Sequence, residues 1–131
     1  MHSILVVEDN DATREGLHEL LSGAGYAVTV AATVPEAQRA LAKHRFDLVV
    51  SDVRVAGHNG LQIAVAAARP VRAIFVTAFP DPTLEAEARR VGADFLLKPV
   101  APSTLCAVIE EKLRTTMQVV PVVSAGQSRL H

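Results

Sequence analysis

The chain has 131 residues, of which 50% are hydrophobic and 21% charged, which suits one domain with its own core and leaves no room for a second of ordinary size. Its net charge of -1 comes from 13 basic and 14 acidic residues spread along the sequence, without the clustered basic stripe of a nucleic-acid binder, so direct nucleic-acid contact is not expected. No apolar run approaches the roughly 18 residues of a membrane span, and the N-terminus enters a strand instead of a signal peptide, so a cytoplasmic location with no membrane contact is the expectation.

The strand-like runs are Ile4 to Val7, Ala27 to Val30, Leu48 to Val50, Ala73 to Val76 and Phe95 to Leu97, with helical periodicity between them. That alternation predicts an α/β fold, a parallel sheet covered on both faces. The first, third and fourth runs are continuously apolar, as central strands are, whereas Tyr26 and Thr29 mark the second as an edge. The first helix carries Leu17, Leu20, Leu21 and Ala24 on one face, with Asn10 or Asp11 as its cap and Gly25 near its end. The second carries Val34, Ala37 and Leu41 behind Thr33 and Pro35. A third uses Leu61, Ala64, Val65 and Ala68 before Pro70, and a short polar fourth has Leu84, Ala88 and Val91 before Gly92. The fifth follows Pro102 and Ser103 with Leu105, Val108, Ile109 and Leu113. Residues 1–116 therefore read as the domain, and 117–131, with Pro, Gly and Ser but no sustained period, as a tail or the start of a linker.

Cys106 stands alone among apolar neighbours and reads as a buried small hydrophobe, with no disulfide framework or thiolate metal cluster available. His2, His18, His44, His58 and His131 have no ligand spacing and read as surface residues.

Glu8, Asp9, Asp52, Thr77 and Lys98 each stand at the end of one of the strand-like runs. In a parallel sheet those ends share one edge, where open α/β folds place their sites. Singly each is weak: Glu8-Asp9 also suits the start of a helix-capping turn, Asp52 a loop acid and Lys98-Pro99 an ordinary turn. Together, three convergent carboxylates repel, at about 4 kcal/mol per like pair for a separation of ~4 Å and an effective dielectric of about 20, and require a cation. Oxygen-only donors suit Mg²⁺, and Lys98 supplies a fixed charge for a phosphoryl oxygen. Asp52, ending the central strand, is the expected phosphoacceptor; Asp9 would bind the metal directly and Glu8 directly or through water.

Val-Val-Glu-Asp at 6–9, Asp52 followed eight residues later by Gly60, Thr77-Ala78 and Lys98-Pro99 resemble the receiver domain of bacterial response regulators, over residues 3 to about 115. The resemblance implies a doubly wound, flavodoxin-like sheet of order 2-1-3-4-5 with five helices. It implies phosphorylation of Asp52 from the phosphohistidine of a histidine kinase or phosphotransfer protein, with slow self-dephosphorylation and no turnover of a separate substrate. It further implies Mg²⁺ on Asp9, Asp52 and the backbone carbonyl of Arg54, and phosphoryl contacts from Lys98, Thr77 and the backbone at Ala78. Thr77 and Phe95 would be the switch residues, Phe95 swinging inward, although an aromatic in a strand is equally a plain core residue. The surface of the fourth helix, fifth strand and fifth helix, about Leu84 to Arg114, is then the expected face for an output partner or a homodimer. The sequence departs from many receivers at Val55-Ala56, where Met-Pro is frequent, and at Phe95, where Tyr is frequent. Arg54 and Phe79 flank the expected entry path for water.

Two other readings fit the architecture: a receiver-like interaction module working without phosphorylation, and a flavodoxin-like cofactor binder. The retained acids speak against the first. Against the second, the acidic Glu8-Asp9-Asn10-Asp11 segment would repel a cofactor phosphate.

Overall fold

The computed structural model describes residues 1–55, 58–59, 71–90 and 92–114. At its centre is β1 (Ser3–Val7), whose Ile4, Leu5 and Val6 are all fully buried. A run apolar on both faces fits only between two neighbouring strands and two helical layers, and β1 pairs in parallel with β2 (Ala27–Ala31) on one side and β3 (Leu48–Asp52) on the other. Beyond β3 follow β6 (Arg72–Thr77) and β7 (Asp94–Leu97), also parallel, with Val50 opposite Ile74 and Phe75 opposite Phe95. Two short strands, β4 (Arg54–Val55) and β5 (His58–Asn59), form a separate antiparallel ladder that sequence periodicity did not signal. The main sheet therefore runs β2-β1-β3-β6-β7, the 2-1-3-4-5 order that the resemblance implied.

The helices among the described residues are α1 (Asp11–Gly23), α2 (Val34–Lys43), α3 (Pro82–Arg90) and α4 (Pro102–Arg114). The expected third helix, with Leu61, Ala64, Val65 and Ala68, and the expected tail at 117–131 lie outside the described residues, so the expected fourth and fifth helices are α3 and α4. On one face of the sheet, Ile4, Val6, Val50 and Ile74 pack with Leu21 of α1 and Leu105 and Ile109 of α4. On the other, Leu5, Val7 and Val49 meet Val34 and Ala37 of α2, while Val53, Phe75 and Phe95 meet Ala88 of α3. Helices on both faces of a parallel sheet make the fold doubly wound.

Local signals set the element ends. Asn10, not Asp11, caps α1: its Oδ1 accepts the Thr13 amide at 2.9 Å. Thr33 does the same for α2 through the Glu36 amide. The turns after α1 and α3 use Gly25 at φ +99 and Gly92 at φ +85, a region that disfavours residues with a Cβ. Pro102 is the first residue of α4 and does not precede it, because a residue at that position has no intrahelical N–H bond to lose. Asn10→Ala is expected to lower stability by about 1 kcal/mol, measured by chemical denaturation; an unchanged midpoint would rule out the cap.

The edge expectation for β2 holds, with Ala27, Thr29 and Val30 exposed. His2, His18 and His44 are exposed as expected, and the side chains of His58 and His131 lie outside the described residues. Cys106 is only half-buried, because its position on α4 touches the core from the side. Lys112 of α4 is buried and donates from Nζ to the Gly92 carbonyl at 2.7 Å, tying the last helix to the turn between α3 and β7. Burial pushes its pKa down, against the nearby Asp94 carboxylate and aided by Arg72.

Candidate functional site

Parallel pairing brings the carboxyl ends of β1, β3, β6 and β7 to one edge, and these deliver Glu8, Asp52, Thr77 and Lys98 respectively. Lys98 closes the cluster: its Nζ donates to Asp52 Oδ2 at 2.8 Å and to Glu8 Oε1 at 3.2 Å. Each carboxylate uses its other oxygen to accept a backbone amide, Asn10 on Glu8 Oε2 and Arg54 on Asp52 Oδ1, both at 3.1 Å. Two acids separated by many residues are thus fixed in orientation by one shared cation and by the turns that follow their own strands. The edge is further pinned by the Ser51 hydroxyl, which donates to the Asp52 carbonyl, and by the Lys98 amide, which donates to the Thr77 carbonyl. The Lys98–Pro99 peptide bond is cis.

The Glu8 side chain is 5% exposed and that of Asp52 14%, so their mutual repulsion is weakly screened and the ammonium between them offsets it. Burial by itself pushes the Lys98 pKa down, but the hydrogen bond and charge of Asp52, followed by those of Glu8, outweigh it and raise the value above the ordinary 10.5. A cation whose folded pKa is raised contributes stability that is complete below the unfolded pKa and is lost as pH rises through the folded one. The stability difference between the native protein and a Lys98→Met variant should therefore be flat across neutral pH and shrink only in alkali beyond the ordinary lysine range. Denaturation midpoints followed from neutral pH into that range test this, and a difference that shrinks near neutrality would contradict it.

Thr77 is 2% exposed, and its Oγ1 accepts the Phe79 amide at 3.2 Å, so the hydroxyl is engaged by its own loop. Ala78 is exposed beside it. Phe95 is 6% exposed within the Val53, Phe75 and Ala88 cluster, so it is already inside. Asp9 is exposed on the loop after β1. The three-acid cluster expected from sequence is, among the described residues, two acids and a lysine, with no three acidic, His or Cys side chains drawn together to hold a metal. The reason is electrostatic: the cation that convergent acids require is supplied for Glu8 and Asp52 by Lys98. A cleft of about 480 Å³ opens beside them, with Val7, Leu17, Val50 and Leu105 among its walls.

The donor chemistry fits a hard divalent ion that keeps most of its waters: carboxylate oxygens on Glu8 and Asp52, an exposed third carboxylate on Asp9, and the adjoining backbone of Arg54.

Sequence reasoning missed Arg14 and the side-chain partner of Arg54. Arg14 of α1 donates through Nη1 to the Glu8 carbonyl at 3.0 Å and through Nη2 to Asp11 at 2.6 Å, bracing the acidic turn. Its signal was the i, i+3 spacing from Asp11 in the first turn. The Arg54 side chain lies 3.7 Å from Asp81, a contact between distant segments that has no sequence signature.

No helix among the described residues is long and apolar enough to cross a membrane. Among curated proteins, the chain is 36% identical over 115 residues to the transcriptional regulatory protein FixJ of Bradyrhizobium diazoefficiens, covering 85% of this chain and 56% of that protein. It is 34% identical over 131 residues to the transcriptional regulatory protein ZraR of Escherichia coli, covering 95% of this chain and 30% of ZraR. It thus spans about half the length of FixJ and less of ZraR. Among solved structures, a CheY-like response regulator receiver domain protein from Methanospirillum hungatei superposes with a TM-score of 0.82 at 30% identity, covering 87% of this chain and 94% of that one. The non-phosphorylated HemR receiver domain from Leptospira biflexa gives 0.80 at 29% identity, covering 88% and 96%. Residues 4–110 match the response regulator receiver domain model, and the chain belongs to that family of two-component signalling switches.

Proposed function

We propose that the protein accepts a phosphoryl group on Asp52 from the phosphohistidine of a histidine kinase or phosphotransfer protein, in a Mg²⁺-dependent reaction. The observation that carries this is the Lys98 ammonium set between Asp52 and Glu8 at the carboxyl edge of the sheet. An Asp52 carboxylate oxygen forms the bond to phosphorus as the phosphorus–nitrogen bond to the donor imidazole breaks, and the imidazole keeps the electron pair. Arg54's amide orients the carboxylate for that approach, and Lys98 follows the negative charge from the carboxylate to a phosphoryl oxygen. Glu8, Asp9, Asp52 and the Arg54 carbonyl would hold Mg²⁺, which when bound supplies neutralisation of the charge on the transferring group. The product is a mixed anhydride held on the protein, hydrolysed slowly, so the chain is a signalling switch and not a turnover enzyme.

To donate to a phosphoryl oxygen, the Thr77 hydroxyl must give up its 3.5 Å donation to the Phe79 carbonyl. One hydrogen bond to a charged group contributes about 1.5–3 kcal/mol, whereas moving a population from 1:99 to 99:1 takes about 5.5 kcal/mol. Lys98 and the backbone amides near Arg54 and Ala78 must supply the rest, with repacking around Phe95. The face built by α3, β7 and α4 then meets an output partner or a second copy of the chain. Support comes from Leu97, 51% exposed on the edge strand, and Phe79, 70% exposed before α3. Residues 1–116 make up the receiver unit in this reading, with 117–131 a tail or linker and the cytoplasm its compartment.

The test is incubation with Mg²⁺ and a small acyl phosphate donor, followed by intact mass. A gain of one phosphoryl group that disappears with a chelator is expected; no gain, or a gain indifferent to the chelator, would overturn the proposal.

A further inference from the structure

The Asp52 carboxylate and the N-terminus of α3 are linked through one residue. Arg54 donates its amide to Asp52 Oδ1, and its guanidinium Nη2 lies 3.7 Å from Asp81 Oδ2. Asp81 is in turn the cap of α3: its Oδ1 accepts the Thr83 and Leu84 amides at 3.0 and 3.2 Å, and its carbonyl accepts the Glu85 amide. One carboxylate oxygen thus holds the helix while the other faces the acceptor loop.

We infer that the Arg54–Asp81 ion pair is a latch between the acceptor loop and the start of α3, opened when a phosphoryl group on Asp52 draws Arg54 away. The inference rests on the proposed phosphorylation of Asp52. The pair is long and half-exposed, 65% for Arg54 and 33% for Asp81, so it is weak and exchanges readily. A phosphoryl group offers nearly two charges and three acceptor oxygens, a better match for a planar guanidinium than one carboxylate oxygen. Arg54 is already held by its own amide at the acceptor, so the exchange needs only a side-chain rotation. Once it occurs, Asp81 keeps its cap but the segment from Ala78 to Asp81, with exposed Phe79, is no longer tied to the acceptor loop. This route to the α3 face is separate from the Thr77 hydroxyl.

The test uses the full chain with Mg²⁺ and beryllofluoride as phosphoryl mimic, with adduct formation read by intact mass under native conditions and the Thr83 and Leu84 amides by NMR. Two variants serve: Arg54→Gln, which keeps the backbone contacts, and Asp81→Asn, which keeps the cap acceptor and removes the charge. In the native protein the adduct should displace both amides. Each variant without adduct should already lie part of the way along that displacement, and the adduct should add less than half of the native change. An adduct that moves the two amides equally in native protein and both variants would overturn the latch alone. Absence of any adduct in the native protein would overturn the latch together with the function it rests on.

Discussion

Lys98→Met is expected to lower stability by about 2–3 kcal/mol in the absence of divalent cations. Removing one partner of a buried ion pair costs roughly 3–5 kcal/mol, and the estimate is reduced because the Lys98 side chain is 30% exposed. Methionine keeps the aliphatic stem, so the loss reports the ammonium. Without it, Glu8 and Asp52 face each other with one backbone amide apiece. Millimolar Mg²⁺ should restore part of the loss, since a divalent ion can take the place of the ammonium between the two acids. The same variant should still gain a phosphoryl group but fail to couple it to the α3, β7 and α4 face. Denaturant midpoints with and without Mg²⁺, and amide spectra of the modified variant, measure these effects. Native-like stability in chelator, or native-like coupling, would contradict the assigned role.

Asp52→Asn is expected to abolish phosphorylation while leaving the fold intact. An amide oxygen is a poor nucleophile and its phosphorylated form has no stable equivalent of the mixed anhydride. The amide oxygen can accept from Lys98, which also retains Glu8, while the bond from the Arg54 amide is lost and the repulsion between the two acids is relieved, so stability should change by no more than about 1 kcal/mol. The two measurements separate chemistry from folding: modification followed by intact mass, and the denaturation midpoint. Modification at an undiminished rate would remove Asp52 from the reaction; a large loss of stability would mean that its main duty is to neutralise Lys98.

The sheet was legible because its central strands are apolar on both faces: Ile4 to Val7, Leu48 to Val50 and Ala73 to Val76 can be buried only between neighbours, and they are. The caps were legible for a local reason, since Asn10 and Thr33 bond amides three residues ahead. Strand order was not contained in periodicity and came from family resemblance. The candidate site was legible as an inventory, because strand ends converge whatever the details. Its partnerships were not: nothing local specifies that Lys98 reaches Glu8 across the sheet edge, that Asp9 stays exposed, or that the Thr77 hydroxyl turns to the Phe79 amide. Arg54 and Asp81 were invisible as a pair for the same reason, being joined only by the fold. Of the three acids expected to converge, the structure draws Glu8 and Asp52 together, and the lysine assigned to the phosphoryl group serves as the cation for those two.

The most direct measurement is chemical trapping of the acceptor. After incubation with Mg²⁺ and an acyl phosphate, borohydride reduces an aspartyl phosphate to the alcohol, and peptide sequencing by mass spectrometry locates the altered residue. The prediction is homoserine at position 52 and nowhere else. Reduction at Glu8 or Asp9, or a phosphoryl group that resists borohydride altogether, would contradict phosphoryl acceptance by Asp52.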